Sequence, residues 1–337
     1  MFSNSGFSAS EGSIMQREDL PPALPIGPMT PEWLGSNLVS NDLKREWTDQ
    51  GFSILRGAYS GEEVAAYNEI VAAVRREVPT GEDEYGFGDR IGQLHQRHPE
   101  LLNLASAPKV LDFLRWAFND EPVVFGSLNF ERGTEQEAHI DAIFFWPEPC
   151  FSMAGCWVAL EDISLDAGPL FYVPESHKWP FYCSEHVVAT DADLAERRRR
   201  AALGELPEDE KRQLVADLGN AWTDRFLKLE SIRRTERRCL SLKAGDVVFW
   251  HSLLAHGGLA RANRTLSRKS AVFHFIGRNT RLYTFEQFML FNRSTLEKEL
   301  PQPMDLLNYD ERISYMRYNH FVTYAPNETI NPIQRIP

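Results

Sequence analysis

The sequence predicts a mainly β domain with flanking helices, in which short strands form a barrel or a two-sheet sandwich. Three observations predict this class. Apolar or alternating runs of strand length follow Pro122, turns rich in glycine and proline separate them, and helical periodicity is concentrated before that residue. The strand-like runs cover residues 123–130, 151–160, 170–173, 240–242, 247–250 and 271–276. Helices first and strands later, around one core, favour a single domain.

The elements before the strands follow from local signals. Residues 31–47 indicate a first helix, and the alternating segment 51–57, bounded by glycines, predicts a short strand. Ser60 followed three residues later by Glu63 forms the capping-box pattern that begins a helix. A further helix is predicted over residues 108–118, because its apolar residues recur on one face.

The domain organisation is predicted from changes in composition. Residues 1–29 are rich in serine, glycine and proline and indicate a flexible leader. Residues 30–337 are expected to form one domain. Within it, a charged segment over about 184–233 indicates a helical insertion, and about 283–337 form a C-terminal extension. Both segments are candidate lids over a site or surfaces of a dimer, so the chain is expected to be a monomer or a homodimer.

Charge and cysteine usage narrow the class of partner and the compartment. The 337 residues carry a formal net charge of −12, which argues against a nucleic-acid partner. The sequence has neither a secretory signal nor an apolar run near the roughly 20 residues that span a bilayer. The four cysteines show no C-x-x-C spacing and are expected to be reduced thiols; they are Cys150, Cys156, Cys183 and Cys239. The prediction is a cytoplasmic protein without a membrane partner.

The main chemical signal is the pair His139 and Asp141. On a strand, residues i and i+2 point to the same face, so both side chains are expected to converge on one point. Two imidazoles and one carboxylate on one side of Fe(II) leave positions open for a co-substrate and O2. The third ligand is sought in a distant strand-like stretch that offers His251 and His256. His256 precedes two glycines, which allow backbone or ligand to approach closely.

Arg268 is the candidate anion-binding residue. It lies just before the apolar run 271–276 and twelve residues after His256. A guanidinium binds a carboxylate through two parallel hydrogen bonds, which a lysine cannot reproduce. The sequence therefore predicts a carboxylate-binding arginine near the metal site.

These residues lie in sequence blocks that resemble the phytanoyl-CoA dioxygenase family of Fe(II)/2-oxoglutarate oxygenases. The resemblance extends from about residue 40 to 278, with the H-x-D, G-P-L-x-x-x-P-x-S-H and G-D-V-V-F blocks in the family's order. The blocks that carry it are residues 49–57, 139–141, 156–162, 167–178, 244–249, 256–258 and Arg268. The resemblance implies a double-stranded β-helix core, which is a jelly-roll or cupin-like fold.

The resemblance also implies roles for individual residues. It places Fe(II) on His139, Asp141 and His256, and 2-oxoglutarate on Arg268. Trp157 matches a tryptophan that lines the co-substrate pocket in relatives, and Asn129 resembles a strand asparagine that contacts 2-oxoglutarate in some of them.

Three departures from the family pattern leave alternatives open. Gly258 stands where relatives often carry a serine, Glu131 replaces a frequent lysine, and the spacing from the last histidine ligand to Arg268 is one residue longer than usual. Arg264 and Arg261 therefore remain alternatives for binding 2-oxoglutarate.

The function implied is hydroxylation, or another oxidation, of an unactivated C–H bond in a small organic molecule, with release of succinate and CO2. The substrate is expected over Phe144, Phe145 and Trp146. Asp141 favours hydroxylation, because halogenating relatives carry a small residue there. The alternatives are a cupin-like metalloenzyme that does not use 2-oxoglutarate and a non-catalytic jelly-roll binding module.

Overall fold

The computed structural model describes residues 23–27, 37–77, 90–181 and 183–317. The helices in these ranges are α1 Asn41–Gln50, α2 Gly61–Glu77, α3 Pro108–Phe118, α4 Ser184–Val188, α5 Ala192–Ala202, α6 Glu208–Arg233, α7 Phe285–Leu290 and α8 Arg293–Leu296. Within the same ranges, none of the helices combines the length and the apolar character needed to cross a membrane.

The strands divide into a large sheet and two small ones. Their bounds are β1 Phe52–Leu55, β2 Arg90–Gly92, β3 Pro122–Phe130, β4 Phe145–Glu148, β5 Met153–Ala159, β6 Leu170–Tyr172, β7 Arg238–Cys239, β8 Val247–His251, β9 His256–Gly258, β10 Ser270–Gly277, β11 Arg281–Thr284, β12 Leu306–Asn308 and β13 Ser314–Met316. The large sheet has the order β1-β8-β5-β10-β3-β13-β12, and β2 also pairs with β3. The small sheets are β7-β6-β9 and β11-β4.

The large sheet faces the small sheets across a shared apolar layer. Trp157 and Val272 of the large sheet contribute to this layer, as do Leu170 of β6 and Leu282 of β11. Two facing sheets of mostly antiparallel strands, connected across a common interior, form the double-stranded β-helix. The predicted jelly-roll fold is confirmed.

Helices cover the outer face of the large sheet. The ring of Phe113 on α3 stacks on Phe249 of β8, with centroids 4.2 Å apart, and meets the edge of Trp47 of α1 at 5.3 Å. Because strand side chains alternate, Val248 and Trp250, on either side of Phe249, face the interior of the barrel. The outer helical core thereby sets which residues of β8 face inward.

Two predicted elements differ from the structure. Of the first helix, expected over 31–47, residues 31–36 lie outside the described ranges, and the described part is found as α1 Asn41–Gln50. Ser40 caps this helix by accepting a hydrogen bond from the Leu43 amide. The strand expected over 240–242 is absent, and the paired residues are instead those of β7, Arg238–Cys239. Leu240 and Leu242 are buried in the layer between the sheets, and the Leu240 amide donates to the Leu170 carbonyl of β6 at 3.3 Å. Their alternation therefore reflects packing just beyond the end of β7.

Both ends of the described chain contain structure that the sequence did not predict, whereas helices were expected in its middle. Of the expected leader, residues 1–22 and 28–29 lie outside the described ranges, but Ala23 forms a β-bridge with Pro180 and Leu24 is buried. Residues 184–233 contain the three helices α4, α5 and α6. In the extension, β13 pairs with β3 and so joins the large sheet. Residues 318–337 lie outside the description.

We expect Phe113→Ala to lower the free energy of unfolding by about 3–5 kcal/mol, because the ring is fully buried between helix and sheet. Leu38→Ala is the control, since Leu38 is 62% exposed, and should change stability by about 0.5 kcal/mol or less. Denaturant unfolding of both variants measures the difference. Equal effects would contradict a core between α3 and the large sheet.

Candidate active site

A backbone bridge brings the two predicted histidine ligands together. The amide of His139 donates to the carbonyl of His256, and the amide of His256 donates to the carbonyl of His139, each at 3.0 Å. The bridge joins the segment after β3 to the start of β9. The rings lie with their centroids 4.5 Å apart.

Asp141 completes this group, although its local structure differs from the prediction. The expected strand does not continue through it, because a short 3-10 turn, Asp141–Ile143, begins at this residue. Ile140 before the turn is extended, at φ −119° and ψ 140°, so the carboxylate still lies on the side of His139. Oδ1 of Asp141 lies 3.8 Å from Nε2 of His139 and 3.6 Å from Nε2 of His256. The three ligand atoms lie within 4.8 Å of one another, as a shared metal ion requires.

Both imidazoles are oriented for metal binding by their own backbone. Nδ1 of His139 donates to the carbonyl of Glu137, and Nδ1 of His256 donates to the carbonyl of Leu254, each at 2.9 Å. Because a carbonyl only accepts, the proton lies on Nδ1 and the lone pair of Nε2 faces Asp141. Burial, together with the neighbouring His256, lowers the pKa of His139 to about 4, which keeps that ring neutral. Neutral imidazoles are the form that binds iron.

The second oxygen of Asp141 has its own partners. The indole Nε1 of Trp250 donates to Oδ2 at 2.7 Å, and Nε2 of His274 lies 3.5 Å from the same oxygen. Burial by itself raises the pKa of Asp141, but His256 and His274 hold it well below its usual range. Sequence reasoning missed Trp250 and His274. The available signal was a polar atom at an inward position of an apolar strand.

One cavity contains the triad and Arg268. Its other lining residues are Arg90, Leu128, Phe130, Thr134, Gln136, Trp157, Leu170, Trp250, Gly257, Gly258, Val272 and His274. Trp157 thus lies in the cavity that contains the triad. Thr134 lies next to Gly258, since a Cβ on that glycine would be 3.2 Å from the Thr134 hydroxyl.

Arg268 is a buried cation that opens onto this cavity. Its side chain is held by the Gly168 carbonyl, which accepts from Nη1 at 3.0 Å. Burial, and more weakly Arg261, lowers its pKa to about 10, so it stays charged at neutral pH. Across the described ranges, Nε has no hydrogen-bond partner and no carboxylate pairs with the guanidinium. A buried charge without a counter-ion is costly, and an anionic ligand would remove that cost.

The alternative arginines are engaged elsewhere. Nε of Arg261 lies 3.2 Å from Oε1 of Glu135, and Nη2 of Arg264 lies 3.1 Å from Oε2 of the same carboxylate. Neither arginine lines the cavity, whereas Arg268 does. The geometry favours Arg268 among the three.

Two residues named from the sequence lie on the outer side of the large sheet. Asn129 was expected to contact 2-oxoglutarate, but its amide oxygen accepts a hydrogen bond from the hydroxyl of Tyr67 on α2. Its neighbours Leu128 and Phe130 line the cavity, so alternation directs Asn129 away from it. His251, the other histidine considered as a ligand, also lies outside the triad, and its Nδ1 accepts from the Leu253 amide.

The expected substrate-binding aromatics are divided among different environments. The ring of Phe144 lies 6.0 Å from that of His139, at the edge of the site. Phe145 is buried beside His274, with centroids 5.9 Å apart. Trp146 is fully buried and stacks on Phe288 of α7 at 4.6 Å, so it does not border the cavity. Phe145 and Trp146 are adjacent residues of β4, so they face opposite sides of the strand.

Fold and site together define a class of protein: a jelly-roll protein with a non-haem metal site of two histidines and one aspartate. The sequence model of the phytanoyl-CoA dioxygenase family matches residues 47–271, which is about two thirds of the chain. The chain belongs to that family.

Individual relatives share about a third or less of their aligned residues with this chain. Phytanoyl-CoA dioxygenase domain-containing protein 1 of Mus musculus is 34% identical over 94 residues, covering 26% of this chain and 32% of that protein. The match thus spans about a third of that relative's length. Ectoine dioxygenase of Bordetella bronchiseptica is 27% identical over 236 residues, covering 66% of this chain and 70% of that protein. Apo EctD from S. alaskensis shares the fold, with a TM-score of 0.57 at 18% identity over 88% of this chain and 95% of that one.

We expect His256→Ala to weaken Co(II) binding by more than about 100-fold, because loss of a ligand exceeds the roughly 10–100-fold cost of losing a residue around it. His251→Gln is the matched control, since His251 is a buried histidine five residues earlier that lies outside the triad. Anaerobic metal titration measures both variants. Equal losses in both would contradict the assignment of His256 as a ligand.

Proposed function

We propose that the chain is an Fe(II)- and 2-oxoglutarate-dependent dioxygenase that oxidises an unactivated C–H bond of a small organic molecule, with release of succinate and CO2. The observation that carries this proposal is the buried cation of Arg268 in the cavity that contains His139, Asp141 and His256. Such a cavity offers a metal site and a carboxylate site side by side, which is what an α-keto diacid requires.

The residues present fit iron. Two imidazole Nε2 atoms and one carboxylate oxygen converge in the cavity that also contains Arg268. This donor set suits Fe(II) with free coordination positions. When bound, the iron supplies the oxidative chemistry, with O2 and 2-oxoglutarate as co-substrates.

The co-substrate would extend from the metal towards Arg268. There the guanidinium would bind the distal carboxylate, and the Thr134 hydroxyl next to Gly258 offers a further donor. Trp157 contributes an apolar wall that excludes water from this end. EctD from S. alaskensis has been solved with bound Fe and with 2-oxoglutarate and 5-hydroxyectoine. These structures support the proposal that iron and 2-oxoglutarate bind here.

The substrate is proposed to be a small molecule that enters beside Phe144, near His139. The net charge of −12 supports the absence of a nucleic-acid partner. Cys150, Cys156 and Cys183 are buried free thiols, which supports a reducing, cytoplasmic location. A monomer or homodimer remains the proposed state of assembly.

Arg268 also distinguishes the alternatives. A cupin-like metalloenzyme without 2-oxoglutarate would bind metal through the triad and would have no need of a buried cation beside it. A non-catalytic binding module would need neither the metal-binding triad nor the buried cation. The combination of Arg268 with an intact triad therefore favours the oxygenase.

We expect the protein, reconstituted anaerobically with Fe(II) and 2-oxoglutarate, to develop the weak visible charge-transfer band of the chelate. Arg268→Ala should retain metal binding but lose affinity for 2-oxoglutarate by more than about 100-fold, since removing one partner of a buried, hydrogen-bonded charge pair costs about 3–5 kcal/mol. Arg264→Ala is the matched control, because this exposed arginine pairs with Glu135 and should leave the band unchanged. A band of wild-type strength in Arg268→Ala would remove the support for 2-oxoglutarate at this position.

Turnover tests the activity itself. With Fe(II), O2 and 2-oxoglutarate, the wild-type protein should release succinate, and one or more members of a small-molecule panel should stimulate the release. His256→Ala should abolish the stimulated release. Absence of both the charge-transfer band and succinate in intact protein would overturn the proposal.

A further inference from the structure

Trp250 and His274 lie on either side of Gly155 in one row across the inner face of the large sheet. Strand pairing sets Phe52 opposite Trp250, Trp250 opposite Gly155, and Gly155 opposite His274. From this row the indole and the imidazole reach the same atom, Oδ2 of Asp141, at 2.7 and 3.5 Å. Two side chains from different strands thus converge on the oxygen that does not face the other ligands.

Gly155 provides the space for this arrangement. A Cβ at this position would lie 2.0 Å from Cε2 and 2.4 Å from Nε1 of Trp250. The indole therefore lies directly over the Cα of Gly155, and a side chain there would push the N–H away from Asp141. A glycine inside a strand marks such a close approach.

We propose that Trp250 and His274 are positioning residues that hold Asp141 by Oδ2, so that Oδ1 alone is presented to the metal. This role rests on the iron site proposed above. The indole donates but has no lone pair to offer a metal, so its contact with Asp141 orients the carboxylate without adding a ligand.

The same geometry separates His274 from the ligand histidines. Nε2 of His139 and Nε2 of His256 face Oδ1 of Asp141, whereas Nε2 of His274 faces Oδ2. A carboxylate with one oxygen engaged by donors binds a metal through the other. With a bound metal, the position that a second carboxylate oxygen would take would then be left to the co-substrates.

The test is anaerobic Co(II) titration of the apoprotein, followed by visible absorption, which reports both affinity and coordination. Trp250→Phe removes the N–H but keeps a ring beside His256, whose centroid lies 4.6 Å from the indole. We expect about 10-fold weaker binding and an altered spectrum, because the released oxygen can turn towards the metal. His274→Leu should act alike, and His274→Gln, which keeps an N–H donor, should restore both readouts.

Two further variants separate positioning from stability. Gly155→Ala should weaken Co(II) binding at least as much as Trp250→Phe, because it displaces the whole indole. Phe249→Leu is the matched control, since Phe249 is the buried neighbour of Trp250 on the opposite face of β8. It should leave the affinity and the spectrum unchanged.

Wild-type affinity and spectrum in both Trp250→Phe and His274→Leu would overturn the proposal. An equal loss in Phe249→Leu would overturn it as well, because the effect would then be one of strand stability. A wrong assignment of the iron site would give a different result, because His256→Ala would in that case bind Co(II) as tightly as the wild-type protein.

Discussion

The paired backbone hydrogen bonds between His139 and His256 are the constraint on which the candidate site depends. They join two segments that are distant in sequence, and they set the two imidazoles side by side. Each ring is then oriented by a carbonyl of its own segment, so its Nε2 faces Asp141. The backbone thereby creates a site for a cation before any cation binds, which lowers the entropic cost of ordering its ligands.

Because side chains alternate between the two faces of the large sheet, the residues of the site lie on one face and the residues that stabilise the fold lie on the other. Inward residues such as Trp157 and Trp250 line the cavity, while outward residues such as Phe249 pack beneath the helices. A change of one residue in strand register would exchange these two sets. The outer core therefore stabilises the fold and also determines which side chains reach the metal. Gly155, between two large inward side chains, shows how closely the interior is filled around Asp141.

The arginines near the site differ in whether a carboxylate pairs with them. Glu135 pairs with both Arg261 and Arg264, whereas Arg268 is buried beside the triad and within the described ranges has no carboxylate partner. Burying an unpaired cation reduces stability, and proteins retain such groups where a ligand completes them. The net acidic charge of the chain says nothing about this pocket, because a local cation determines which ligand it prefers.

Local patterns in the sequence were sufficient to predict many features of this protein. The strand-like runs, the capping box at Ser60 and the H-x-D block predicted the fold class and two of the candidate ligands, because periodicity and turn chemistry act over a few residues. The tertiary structure alone decided what depends on register and on distant partners. It turned Asn129 outward, paired Arg264 with the carboxylate of Glu135, and brought Trp250 and His274 to the aspartate. Which side chains meet across a sheet follows from pairing between strands far apart in the chain, and no local pattern records that pairing.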